Sequence, residues 1–402
     1  MNLPGSNGLP LLGETLAFAK NPFRFIEQRL AAHGRMFRTS VLGRKAVVLA
    51  GADAAGRFID SSVVMREGSM PPHVQELFGG RSLPLLDGDA HKTRKGLVLQ
   101  AFTRAAVTAY LPILQQTIER YFEAWTLSGE IRWLDELKKL SIEVICSAII
   151  GMKPGDEMDQ LRHDYGELTA GFATLPINLP GTKYRKALQA RDRILAVLRA
   201  KVRERRQTPA GDGLSRILAA APREQLSDDD AALELHHIVI AGFIVFAEIG
   251  AIVQMPYLSN VVNEVRRLCP IIPAVFGKTK EGFEFEGVQV PAGWMVMWAV
   301  TSSHVAHGVY SDPEKFDPDR FAPERAEDKR HEHAYAPQGA GPVTGHRCPG
   351  FDFATYFMAV FAIVLLRRYT WQFAAQDFTL DYSKTPPEQR DGLRATVRLA
   401  AN

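Results

Sequence analysis

One cysteine carries the strongest chemical signal in the chain. Cys348 closes the stretch Ala336-Pro337-Gln338-Gly339-Ala340-Gly341-Pro342-Val343-Thr344-Gly345-His346-Arg347-Cys348-Pro349-Gly350, which runs into an apolar segment over 351–366. Phe353, Phe357, Val360, Phe361 and Val364 recur there at helical spacing. Pro349 suits a first helical turn, where its missing N–H would have had no partner. The pattern therefore predicts Cys348 at a helix N-terminus. There the positive helix end, the N–H groups of Gly350 and Phe351, and the cations Arg347 and His346 all favour thiolate over thiol. A thiolate held this way is a ligand or a nucleophile. A buried structural cysteine is the ordinary alternative, but the run of glycines lets the backbone pass close beneath something flat, which a packed core helix does not require. Zinc is disfavoured, because no second Cys or His lies at ligand spacing from Cys348 on a shared turn.

Three other clusters have spacing that could do chemistry. Glu264 and Arg267 are three apart and face one side of a helix, although most such pairs are surface pairs worth under about 1 kcal/mol. His91 and Lys95 are four apart, with Arg94 beside them, on the predicted helix 91–102. By spacing alone this is a solvated basic face or an anion site. His236 and His237 stand in a segment that is apolar nearly all round, where they read as structural or surface histidines rather than catalytic ones.

Taken together, the Cys348 loop, the Glu264-Val265-Arg266-Arg267 helix and Phe316-Asp317-Pro318-Asp319-Arg320-Phe321 resemble the haem-binding loop, the ExxR helix and the meander of the cytochrome P450 superfamily, in that family's order. The resemblance covers nearly the whole chain. The usual Phe-x-x-Gly opening of the haem loop is not present; Pro-Gln-Gly-Ala-Gly…Gly-His-Arg-Cys-Pro-Gly is instead similar to the bacterial fatty-acid peroxygenases and decarboxylases of that superfamily. The stretch 171–182, rich in proline and glycine before a basic helix, resembles the clan that holds sterol, brassinosteroid and retinoid hydroxylases.

The resemblance implies a mainly α fold with small β-sheets, one cytochrome P450 domain over 1–402, and haem b as cofactor. It implies Cys348 as the axial iron ligand, with Gly350 following it in the loop. Haem propionates would be held by His346, His91 and Arg94 or Lys95, which the sequence does not separate. Residues 272–278, ending at Lys278, would line the pocket. Ala241, Gly242 and Val245 would form the distal wall, and Arg320 would join Glu264 and Arg267 in a buried network. Thiolate ligation is the electronic feature by which such a haem favours O–O cleavage.

The chain departs from the family pattern at one chemically important place. Where the family has an acid and then an alcohol after the Ala-Gly pair, this sequence has Ile244 and Val245. Aliphatic side chains cannot deliver the protons that heterolysis needs. The peroxygenase branch places an Arg-Pro pair in this helix to hold a substrate carboxylate, yet no arginine occurs over 228–254. The favoured function is monooxygenation of a medium or large apolar molecule such as a lipid, terpenoid or sterol, with a ferredoxin or reductase as electron donor. A peroxide-dependent fatty-acid peroxygenase or hydroperoxide isomerase, needing no donor, is the first alternative. A haem-binding protein without turnover is the second.

Composition allows one large domain or two. A chain of 402 residues with 46% hydrophobic content can bury a large core, and 48 basic against 45 acidic residues suggests no nucleic-acid partner. Cys146, Cys269 and Cys348 are too few and too scattered for a disulfide framework, which fits a reducing cytoplasm. The N-terminus has no secretory pattern, and the longest apolar run is about half of a bilayer span.

Several elements must position these residues. A turn-rich arm leads to a helix over 21–33 and a hairpin over 36–49; the β-rich parts are expected near 34–50, 272–300 and 371–402. Residues 65–89 read as loop, and 90–270 and 350–368 as mostly helical. Ser227 with Asp228, Asp229 and Asp230 marks the start of the central buried helix. Glu264 follows Val245 by only 19 positions, too few for the rest of that helix, a further helix and a connection. Either the central helix ends early, or the additional helix is lost, or residues between Gln254 and Met255 are absent from this numbering.

Overall fold

The computed structural model describes residues 3–10, 12–41, 43–172, 174–245, 256–269, 271–305, 308–382 and 387–400. The join between Gln254 and Met255 lies outside the described residues. Contacts group the chain into two compact units. One comprises Met1–Pro72, Pro84–Lys92 and Asn260–Cys348; the other comprises His73–Leu83, Thr93–Ser259 and Pro349–Asn402.

The first unit is built on a five-stranded sheet in the order Met36–Val41, Arg44–Ala50, Met295–Ala299, Ala274–Thr279, Val64–Met65. Met36–Val41 and Arg44–Ala50 form the expected antiparallel hairpin, with Met36 opposite Leu49. Arg44–Ala50 then runs parallel to Met295–Ala299. Both are continuous apolar runs because both faces are covered: Ala46 through Ala50, and Met295 through Ala299, are buried. Val64–Met65 and the helix Pro72–Leu77 fall where a loop was expected. Their few apolar residues carry no readable period and take their structure from packing. The helix Thr15–Lys20 likewise replaces part of the irregular arm, whereas Asn21 caps the expected helix Pro22–His33 by accepting from the Arg24 N–H.

The second unit is mainly helical. Its longer helices include Arg104–Leu127, Trp133–Ile145, Asp156–Phe172, Lys183–Gln207, the central helix (Asp228–Val245) and the helix after the cysteine (Phe351–Arg368). A cluster of aromatic rings, Phe122, Trp125, Phe361 and Tyr369, joins the Arg104–Leu127 and Phe351–Arg368 helices to the three-stranded sheet of Glu130–Arg132, Arg394–Leu399 and Tyr369–Phe373. Each such buried ring or aliphatic side chain contributes roughly 1.5–3 kcal/mol. The central helix starts as expected, with Ser227 Oγ accepting from the Asp230 N–H. Ala231, Ala232, Leu235, Ile238, Val239 and Ile240 are all buried, which its nearly uniform apolarity required. The described residues 174–182 form neither helix nor strand, and Leu175, Ile177 and Leu179 are exposed. No single described helix is long and apolar enough to cross a membrane.

Candidate functional site

The cysteine loop is a tight backbone construction. Gly339 and Gly341 adopt φ of +97° and +84°, a region that side chains with a Cβ rarely occupy. A Cβ at Gly339 would lie 3.3 Å from the Arg347 Cα, and one at Gly341 would meet Ile59 Cδ1 at 3.0 Å. The Cys348 N–H donates to the Gln338 carbonyl at 3.0 Å, and the Gly345 N–H to the Pro342 carbonyl at 2.9 Å. The helix itself opens at Phe351 with Gly350 as its cap residue. Pro349 therefore precedes the first turn rather than occupying it, and Cys348 stands two residues ahead of the cap.

The three cysteines divide by environment. Cys146 is buried, and desolvation followed by the nearby Glu143 pushes its thiol up to about 12. It is a packing residue. Cys269 is exposed at the end of the helix Pro256–Leu268. Cys348, half-buried in the glycine loop, is the cysteine whose setting suits a ligand.

Around the loop, in the same unit, the imidazoles of His91 and His346 stack with ring centroids 4.0 Å apart. His346 Nε2 lies 3.6 Å from Asp87 Oδ1, and Asp87 Oδ2 accepts from the Arg66 and Glu67 N–H groups, both at 2.7 Å. Burial raises Asp87, but the bond to His346 and the two backbone donors hold it below the usual carboxylate range. Asp87 and Arg66 were not singled out in the sequence. The signal available was Asp87 immediately before the His91 helix, Gly88–Val98.

Farther along that helix the structure separates the two cations that spacing could not. Arg94 is committed to carboxylates of the central helix, with Nη2 2.9 Å from Asp230 Oδ1 and Nη1 2.9 Å from Glu234 Oε1. Glu234 also accepts from the Leu83 N–H. Burial pushes Glu234 up to about 7 against the pull of Arg94. Arg94, expected as one of two propionate candidates, is thus engaged as an anchor between two helices. Lys95, the next residue, is only 2% exposed. Lys278 lies in the strand Ala274–Thr279, opposite Met65 and Met295. On the central helix Ala241 is half-buried and Gly242 buried. The side chains of Ile244 and Val245 lie outside what the structure describes.

The Glu264 network is more extensive than spacing suggested. Glu264 Oε2 and Oε1 take a two-pronged contact from Arg267 at 2.7 and 2.8 Å, and Oε1 also meets Arg320 Nε at 3.0 Å. All three side chains are 0% exposed. Arg320 continues to Glu327 at 2.7 Å. Although burial raises Glu327, the Ser311 N–H and the arginines hold it at about 2. Remaining guanidinium protons go to the carbonyls of His304, Ser311 and Pro313 among others. This network fixes the meander, including the short helix Pro318–Phe321, in the unit that carries Cys348.

A match to the cytochrome P450 family model over residues 3–245 and 245–389 decides the family. The chain belongs to it. Cholesterol 22-hydroxylase CYP90B27 from Paris polyphylla is 28% identical over 433 residues, covering 94% of this chain and 88% of the relative. The putative cytochrome P450 120 of Synechocystis is 28% identical over 432 residues, covering 98% and 96%. Among solved structures, retinoic acid-bound cyanobacterial CYP120A1 superposes with a TM-score of 0.89 at 28% identity, covering 99% of both chains. Cytochrome P450SP alpha in complex with (R)-ibuprophen has a TM-score of 0.85 at 27% identity, covering 96% and 99%. The P450 match breaks at Val245, the point after which too few residues remain before Glu264.

This P450 is therefore an oxidoreductase with haem b as its cofactor. The residues present fit that group. A half-buried thiol sits in a loop whose backbone favours glycine, and the stacked His91 and His346 of the same unit would offer donors to a flat dianion. The side-chain amide of Gln338, in the same loop, is buried with no partner among the described residues, a further polar group at the place where a cofactor would lie.

Proposed function

We propose that this P450 hydroxylates a medium or large apolar molecule, a lipid, terpenoid or sterol-like compound. The observation that carries the reading is Cys348, displayed by the glycine loop beside the stacked His91 and His346, while Cys146 is sealed in the core. The bound haem supplies oxidising chemistry through its thiolate-ligated iron. Cys348 would be the axial ligand, with Gly350 opening the helix behind it. His91, His346 and Lys95 would hold the propionates by charge-assisted hydrogen bonds, and Lys278 would line the pocket. Ala241, Gly242 and Val245 would wall the distal side, where small and aliphatic side chains leave room and exclude water.

Several features support an apolar substrate. The named activity of one similar protein, cholesterol 22-hydroxylation, involves a largely apolar molecule. Leu175 and Leu179, 74% and 61% exposed, place apolar surface on the segment between the Asp156–Phe172 and Lys183–Gln207 helices. A ferredoxin-type or reductase donor in the cytoplasm completes the reading. A second reading, a peroxide-driven enzyme, is favoured by the Gln338–Gly350 loop form and by the aliphatic Ile244 and Val245 where the family has an acid and an alcohol. One experiment tests both. Purified haem protein is given a lipid and terpenoid panel, once with an electron-donor system and once with hydrogen peroxide. Donor-dependent turnover is expected, and turnover with peroxide alone reverses the assignment. The carbon monoxide complex of the reduced protein should show the red-shifted Soret band of thiolate ligation, and Cys348→Ala should abolish it. Persistence of the band in that variant refutes the ligand assignment.

A further inference from the structure

The adjacent histidines of the central helix have opposite surroundings. His236 is 0% exposed and satisfied at both nitrogens, with Nδ1 3.3 Å from Tyr165 Oη and Nε2 3.1 Å from the Leu77 carbonyl oxygen. It is structural. His237 makes no hydrogen bond among the described residues, and its Nδ1 is covered without a partner. Its side chain is nevertheless only half-buried, so Nε2 is the nitrogen left open to a ligand.

Its neighbourhood is aromatic. The His237 ring meets the edge of Phe78 at 6.4 Å, and Phe78 leans on Phe172 at 5.2 Å. Both phenylalanines pack against the main core yet stay half-buried, as residues lining a recess do. His237 precedes Ala241 by four residues and so shares its helical face. An imidazole in apolar surroundings without a partner is unfavourable unless something completes it.

We infer that His237 is a specificity-determining residue, whose Nε2 hydrogen-bonds one neutral oxygen, a hydroxyl or carbonyl, of an otherwise apolar substrate lying along the Phe78–Phe172 side of the central helix. This rests on the proposed role of Ala241 and Gly242 in the distal wall. A neutral oxygen fits better than a carboxylate. Desolvation, with the nearby Lys95 and His236, holds the imidazole uncharged, at about 3, and the helix has no arginine to supply a countercharge. A neutral imidazole can donate to or accept from an alcohol or ketone, but it cannot neutralise an acid.

The test uses the haem-loaded protein and Soret-shift titrations with two matched series. One is cetyl alcohol, its parent hydrocarbon and palmitic acid; the other is cholesterol and the corresponding hydrocarbon. In at least one series the alcohol should bind about tenfold tighter than its hydrocarbon, equivalent to ~1.4 kcal/mol. His237→Phe should erase that ratio, and His237→Gln, which keeps a donor and an acceptor, should retain part of it. Equal binding of alcohol and hydrocarbon in both series, an unchanged ratio in His237→Phe, or tighter binding of palmitic acid than of its alcohol overturns the inference. The carbon monoxide band, read on the same samples, keeps this outcome distinct from failure of the haem-thiolate assignment.

Discussion

Removing Glu264 tests whether the buried network, rather than apolar packing alone, holds the meander. Glu264→Ala takes away the acceptor for Arg267 Nε and Nη2, for Arg320 Nε, and for the Asp317 N–H at 2.9 Å. Arg320 keeps Glu327 and several carbonyls, but Arg267 is left with backbone carbonyls and the face of Tyr310, and with no carboxylate among the described residues. An uncompensated charge at 0% exposure is the severe case, and breaking such a pair destabilises by about 3–5 kcal/mol. For a chain of this length that is a fall of about 4–6 °C in Tm. Arg325→Ala is the control. Arg325 joins Asp317 and Glu327 but is 35% exposed, so its loss should change stability by about 1 kcal/mol or less. Urea unfolding of both variants, followed by circular dichroism, measures the two values. Equal midpoints for Glu264→Ala and Arg325→Ala would refute the claim that burial of the network sets its worth.

Three further expectations follow from the same geometry. His304 is buried, with Nε2 accepting from the Ala336 N–H, and desolvation followed by Arg267 pushes it down to about 3. The unfolded chain then binds a proton near pH 6.5 that the native state refuses, so stability is full above that pH and falls as pH drops towards 3. Wild type should lose about 2 kcal/mol more than His304→Gln between pH 7 and 5; equal losses in urea titrations contradict this. Arg94→Met should destabilise the fold more at pH 8 than at pH 6, because Glu234 takes a proton at the lower pH. Lys95→Met should chiefly weaken haem retention, and the reverse pattern in thermal melts and haem-transfer rates would exchange their assignments. Val245→Thr should preserve turnover and raise the product formed per electron consumed, since it restores an alcohol at the sequence position where the family has one. Loss of activity with haem still bound would show that Val245 serves substrate shape instead.

The chain by itself determined what depends on neighbours in sequence. The 3.6-residue period set the Phe351–Arg368 helix, Ser227 and the acids after it set the start of the central helix, and Glu264 and Arg267 had to share a helical face. The glycines around Cys348 announced a loop that only glycine could trace. Tertiary structure decided every question that turned on a distant partner. Arg94 and Lys95 are indistinguishable by spacing, and Glu234, 140 residues farther on, claims Arg94. His236 and His237 are adjacent and chemically identical, yet only His236 reaches Tyr165, 71 residues away, and the Leu77 carbonyl. Cys146 and Cys348 both precede or follow apolar helical sequence, and burial, with Glu143 beside it, raises one thiol while the other stands in the glycine loop. Periodicity records which face of an element is apolar. It carries no information about which polar group will meet that face once the chain has folded.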